Sequence, residues 1–208
     1  MMTIDLDNKR YYERLDHTGF GQRLREFPAD CLRGWQEGRQ FPIPVEFRRA
    51  KSVLLLGMGG SAISGDLLQP LVQAPIQVCR ELTLPPGVGQ DTLVVASSYS
   101  GETEETLAAF AQALNGLGPK LALASGGRLV DIARQKNIPL FELHHPGPPR
   151  AAMGYTFFAL AGILTQIGLL SLVDADVQAV SLSLQAQVSR LDIGSPLASN
   201  QAKRLAQK

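Results

Sequence analysis

From Lys51 onward the sequence repeats one unit, a short unbroken apolar run followed by a stretch of helical periodicity. The runs are residues 53–56, 76–79, 93–96, 121–124 and 139–143, with helix candidates at 61–73, 102–114 and 128–136 and a Pro/Gly-rich loop at 84–90. Apolar runs this short and continuous are what strands look like when both faces of a sheet are covered. Helices between them supply the crossovers that parallel pairing needs. The pattern predicts an α/β fold, a doubly wound and mostly parallel five-stranded sheet flanked by helices. In such sheets ligands sit outside the carboxyl ends of the strands, where the connections reverse direction. That rule points to the turns after Leu56 and after Ala96.

The flanks differ in character. Residues 1–50 read as an N-terminal helical extension, with Tyr11, Tyr12 and Leu15 and then Leu24, Phe27, Cys31 and Trp35 at helical spacing. Pro28 is expected at or near a helix start. The arginines at 23, 25, 33, 39, 48 and 49 alternate with Glu26, Glu37 and Glu46, as on a solvated face. Residues 51–170 form the predicted sheet domain, which closes with a Pro/Gly loop at 144–150 and an apolar helix at 151–170. Residues 171–208 read as C-terminal helices, one at 174–190 and another beginning at 197 after the Gly194-Ser195-Pro196 break. That last helix has no Gly or Pro terminator, so the chain is expected to continue in its natural form.

Composition excludes several partners. Lys and Arg total 20 against 19 Asp and Glu, a formal net charge of +1, which gives no electrostatic footprint for nucleic acid or an anionic membrane. Any bound anion is therefore expected to be small. Cys31 and Cys79 lack metal-ligand spacing and suit a reducing cytoplasm. The acidic start has no apolar signal core. The longest apolar region, 157–172, is broken by Gly162, Thr165-Gln166 and Gly168 and falls short of the roughly 20 residues that span a bilayer. A soluble protein is the expectation.

Two turns carry the chemistry. Ser97-Ser98-Tyr99-Ser100-Gly101-Glu102-Thr103 leads from an apolar run into a helical stretch. The first N–H groups of a helix lack intrahelical partners and carry the positive end of its dipole, so hydroxyls at Ser98, Ser100 and Thr103 can join them around a phosphate. The plainer alternative is that Ser100 caps the helix and Ser98 fills space. The other turn, Gly57-Met58-Gly59-Gly60-Ser61-Ala62, satisfies the G-x-G-x-x-A spacing of a dinucleotide site, with Glu81 after the next run as a ribose-binding carboxylate. A second reading makes the two turns flank one small phosphorylated ligand, the glycines allowing close backbone approach.

Gly57-Met58-Gly59-Gly60-Ser61, Ser98-Tyr99-Ser100-Gly101-Glu102-Thr103 and Pro149-Arg150-Ala151-Ala152, in that order, resemble the N-terminal sugar isomerase (SIS) domain of the bifunctional phosphoglucose/phosphomannose isomerase family. The resemblance covers about residues 50–170. It implies that Ser98, Ser100 and Thr103 hold a sugar phosphate, that Gly59, Gly60 and Ser61 line the other side of the sugar, and that Arg150 stabilises a cis-enediolate. The implied reaction interconverts glucose 6-phosphate, fructose 6-phosphate and mannose 6-phosphate in a cytoplasmic homodimer, without metal or nucleotide cofactor. The family's glutamate base, ring-opening histidine and lysine come from beyond its first SIS domain, so this chain alone is expected to bind phosphosugar better than it converts it. Glu102, Glu104 and Glu105 are expected to face water, His144 and His145 to be exposed, and Glu142 has a better position at a strand end. A non-catalytic phosphosugar sensor and an NAD(P)-binding oxidoreductase domain remain the alternative readings.

Overall fold

The computed structural model describes residues 5–116 and 118–207. Five strands, β1 (Ser52–Leu56), β2 (Ile76–Cys79), β3 (Thr92–Ser97), β4 (Lys120–Ala124) and β5 (Leu140–Glu142), form one sheet in the order β2-β1-β3-β4-β5. Every pairing is parallel, with Val53 beside both Ile76 and Leu93, Val95 beside Leu121 and Ala122 beside Leu140. Around it lie α1 (Lys9–Leu15), α2 (Phe20–Gln40), α3 (Gly59–Leu68), α4 (Glu104–Ala113), α5 (Gly127–Gln135), α6 (Met153–Gln166), α7 (Asp174–Leu191) and α8 (Gln201–Ala206). No helix among the described residues is long and apolar enough to cross a membrane.

Strand residues alternate between two cores, which explains why the runs carry no polar alternation. Val53, Leu55, Leu93, Val95, Leu121 and Leu123 pack with Trp35, Tyr155 and Leu160 on the side of α2 and α6. Leu54, Leu56, Val94, Ala96, Ala122 and Ala124 pack with Leu107, Phe110 and Leu129 on the side of α4 and α5. The chain steps from β1 to β2 on one side and from β3 to β4 and β5 on the other. The reversal therefore falls between β1 and β3. A dinucleotide fold of the usual 3-2-1-4-5-6 order keeps its first three strands together on one side, whereas here β3 lies across β1 from β2.

Three expectations need correction. Pro28 does not start a helix; α2 runs through it. Lacking an N–H, Pro28 cannot bond the carbonyl of Leu24, a defect worth about 3 kcal/mol in an isolated helix. Burial offsets it: Pro28, Cys31, Gly34, Trp35 and Gly38 are all buried along α2, and Ser181 of α7 donates to the Pro28 carbonyl at 3.0 Å. The contact with α6 is made backbone to backbone, because a Cβ at Gly34 or Gly38 would run into the carbonyl of Tyr155 or Ala159. The second correction concerns α3, which stops at Leu68 because the chain after it is drawn to the segment following α6. There Val72 bridges Leu170, and the Gln73 amide donates to the Leu169 carbonyl at 3.2 Å. Third, α6 ends at Gln166, just before Gly168 takes a left-handed φ of 83°.

Candidate functional site

The turn of residues 98–103 is closed by its own hydroxyls. Ser98 Oγ accepts from the Gly101 amide at 3.1 Å and lies 2.8 Å from Thr103 Oγ1. Ser100 Oγ accepts from the Glu102 amide at 3.2 Å. Thr103, not Ser100, occupies the N-cap of α4, and no side chain caps that helix. The amides of its first turn thus stay open to a ligand. Ser98 is buried, Thr103 half-buried and Ser100 exposed. Ser98 and Thr103 have two hydroxyl protons and one bond between them, so one proton remains to be donated elsewhere. Gly101 makes the turn possible: its φ is 71°, and a Cβ there would strike the Gly126 carbonyl.

The glycine turn lies next to it across the reversal point. A Cβ on Gly57 would come within 3.0 Å of the Ser97 carbonyl oxygen, so the ends of β1 and β3 touch. Gly59 opens α3 with a φ of 48°, the cap residue Met58 offers no side-chain bond, and Ser61 is half-buried in the first turn of the helix. The third motif approaches from the far edge of the sheet. Pro149 passes over Gly60, its carbonyl oxygen 3.8 Å from where a Cβ would stand. The Pro148 carbonyl accepts the amides of Ala151 at 2.8 Å and Ala152 at 3.3 Å, forming the turn that leads into α6. Arg150 sits in that turn, exposed, with its guanidinium carbon 5.8 Å from the Phe20 ring centre and no carboxylate partner among the described residues.

Other candidates are engaged elsewhere. Glu102 does not simply face water: its carboxylate accepts from Nε of Arg128 at 2.7 Å and from the Arg128 amide at 2.8 Å. These bonds hold its pKa below the ordinary carboxylate range, the Arg128 side chain contributing most. Glu104 lies 3.4 Å from the same guanidinium, and Glu142 pairs with Arg134 at 2.8 Å. His144 is exposed as expected. His145 is not, because its ring is clamped on both nitrogens. Nδ1 accepts from the Gly147 amide at 3.0 Å, which leaves Nε2 to donate to Asp30 at 3.0 Å. Asp30 lies on α2, far away in sequence, and no local pattern could have revealed it.

No known protein-family model matches the chain. It is 34% identical over 191 residues to the bifunctional phosphoglucose/phosphomannose isomerase of Caldicellulosiruptor bescii, covering 90% of this chain and 56% of that protein. The chain is a homologue of these bifunctional isomerases. A second such isomerase, from Aquifex aeolicus, is 36% identical over 124 residues, covering 57% of this chain and 38% of its own length. The D-glucosamine-6-phosphate 4-epimerase of Sulfolobus acidocaldarius is 35% identical over 147 residues, covering 70% and 45%. The chain thus spans about half the length of the curated relatives it matches. Among solved structures, a hypothetical protein of Thermus thermophilus shares its fold with a TM-score of 0.63 at 20% identity, over 96% of this chain and 50% of that one. The C-terminal domain of glucosamine-fructose-6-phosphate aminotransferase from Francisella tularensis does so with a TM-score of 0.56 at 16% identity, over 86% and 55%.

Proposed function

We propose that the chain is the phosphosugar-binding SIS unit of a glucose-6-phosphate and mannose-6-phosphate isomerase, centred on residues 51–170. The observation that carries this reading is the meeting of two open helix starts, α3 and α4, at the one point where the sheet reverses. Between them lie the hydroxyls of Ser98, Ser100 and Thr103 and the bare backbone of Gly59 and Gly60 beside Ser61. The phosphate is held by the α4 amides and by the hydroxyls, Thr103 and Ser100 from the surface and Ser98 by exchanging its bond to Thr103 for one to the ligand. The sugar then extends over Gly59, Gly60 and Ser61 toward Arg150. A fixed cation there favours the enediolate over the neutral aldose or ketose, which lowers the barrier to moving a proton between C1 and C2.

The base for that proton is not among the matched positions. Glu102 and Glu142, the carboxylates at the ligand end of the sheet with the best claim, are each bound to an arginine. Turnover in this reading draws on groups outside the matched motifs, and the chain alone binds sugar phosphate more readily than it converts it. A homodimer in the cytoplasm is the proposed setting.

Thermal unfolding with ligands tests the core of the proposal, since a ligand that binds the folded state raises Tm by mass action. Fructose 6-phosphate is expected to raise Tm and NAD(P) to leave it unchanged; the opposite result returns the glycine turn to a dinucleotide. In an assay of the active full-length protein, Arg150→Ala is expected to lower kcat about 100-fold or more, the range seen on removing one transition-state donor. An unchanged kcat takes Arg150 out of the site.

A further inference from the structure

We infer that Tyr99 is a positioning residue, whose phenol fixes the loop carrying Arg150 to the turn that binds the phosphate. The inference rests on the roles proposed above for that turn and for Arg150. Tyr99 stands between Ser98 and Ser100, and its ring packs at the edge of the core on the α2 and α6 side. Its hydroxyl lies 2.6 Å from the carbonyl oxygen of His145 and 2.7 Å from that of Gly147 and shares its one proton between them. Its own carbonyl accepts from the amide of Ser125 at 2.9 Å and from Ser125 Oγ at 2.6 Å. The residue is held at both ends, by the loop after β4 on one side and by the loop after β5 on the other. Burial pushes the phenol's pKa up, which keeps the proton that two carbonyl acceptors require.

The far side of the Arg150 loop is fixed as firmly. His145 is clamped between Gly147 and Asp30, and Arg33 donates to the His144 carbonyl at 3.1 Å while pairing with Asp30 at 2.8 Å. Between these anchors and the Pro148 turn, the backbone of residues 145–149 has little freedom. Arg150, whose side chain lies over the Phe20 ring and has no ion-pair partner among the described residues, takes its backbone position from that loop. A substrate that touches the serine turn with its phosphate and Arg150 with its sugar therefore meets two groups that the Tyr99 phenol ties together directly. Preorganisation of this kind removes an ordering cost from binding.

Tyr99→Phe deletes the hydroxyl and keeps the ring. Calorimetric titration is expected to show inorganic phosphate binding within about twofold of wild type, since phosphate alone uses only the turn. Fructose 6-phosphate is expected to bind about fivefold more weakly, the net value of one hydrogen bond. In an Arg150→Ala background, Tyr99→Phe should cause no further loss, because its effect passes through Arg150. Losses that add in the double variant, or an unchanged fructose 6-phosphate affinity in Tyr99→Phe, overturn the inference. Amide exchange at Gly147 is measured in the same proteins and needs no ligand: faster exchange in Tyr99→Phe supports the strap, and unchanged exchange refutes it. A wild-type chain that binds phosphate but not fructose 6-phosphate refutes the proposed function instead, and the exchange result then decides the strap by itself.

Discussion

The two ends of the sheet carry similar residues and opposite chemistry. At the amino ends of the strands a cavity of about 750 Å³ is lined by Arg48, Arg49, Lys51, Asp91, Lys120 and Asn137, among others. By size and by cations it would be the natural place to look for an anion. Yet helices finish at this end, and their last carbonyls lack partners. Lys120 donates to the carbonyls of Gly116 and Gly118 at 2.7 and 2.8 Å, just past α4, and burial lowers its pKa. Lys51 pairs loosely with Asp91 at 3.8 Å, both side chains open to water. At the carboxyl ends the helices begin, and the unpartnered groups are N–H. Backbone polarity, and not cavity size or a count of arginines, separates a place where the protein satisfies itself from one where a ligand completes it.

That contrast can be broken most severely at Gly101. Gly101→Ala puts a methyl against the Gly126 carbonyl at a left-handed φ, and it is expected to cost about 3 kcal/mol of stability and to abolish sugar-phosphate binding, as read by denaturant unfolding and calorimetry. Normal binding in this variant would mean that the 98–103 turn is not the phosphate cradle. A smaller effect is expected of Thr103→Val, which keeps shape and removes one hydroxyl facing the ligand. Affinity for fructose 6-phosphate should fall about tenfold, the value of a hydrogen bond to a charged group, while Tm moves by only a few degrees. The smallest effect is assigned to the opposite end of the sheet. Replacing both Arg48 and Arg49 by Ala should leave fructose 6-phosphate affinity within about twofold, and a larger loss would place the anion site in the amino-end cavity after all.

What could be read from the residues depended on how local its cause was. The strands were legible because a chain segment buried on both faces has no choice but to be apolar throughout, and each observed strand lies within two residues of its run. The open starts of α3 and α4 were legible for the same reason, since glycines and hydroxyls act within their own turn. Pro28 misled because the bond it lacks is offset by helices more than a hundred residues away. Glu102 is exposed as expected, but nothing local signalled its partner Arg128, 26 positions on in α5. His145 was expected outside because a Pro/Gly loop with two histidines looks solvated. The ring is held by Asp30 of α2 and lies against Tyr155 of α6, partners that no local pattern names. The tyrosine of the serine turn carried no signal of its role at all, for its two acceptors are carbonyls, which every sequence has.

The glycines between α2 and α6 also limit how the protein can move. Gly34 meets Tyr155 and Gly38 meets Ala159, the same four-residue step on both helices and in the same direction along each. At 1.5 Å per residue the step is about 6 Å, and a smaller displacement moves a carbonyl of α6 off its glycine and toward a residue of α2 that carries a side chain. The pair works as an indexed joint. Small sliding adjustments, by which packed helices commonly accommodate a ligand, are closed to it. Asp30 and Arg33 ride on one member of the joint and the Arg150 loop leads directly into the other, so any yielding as a sugar phosphate arrives is left to the loop backbone and to the two turns.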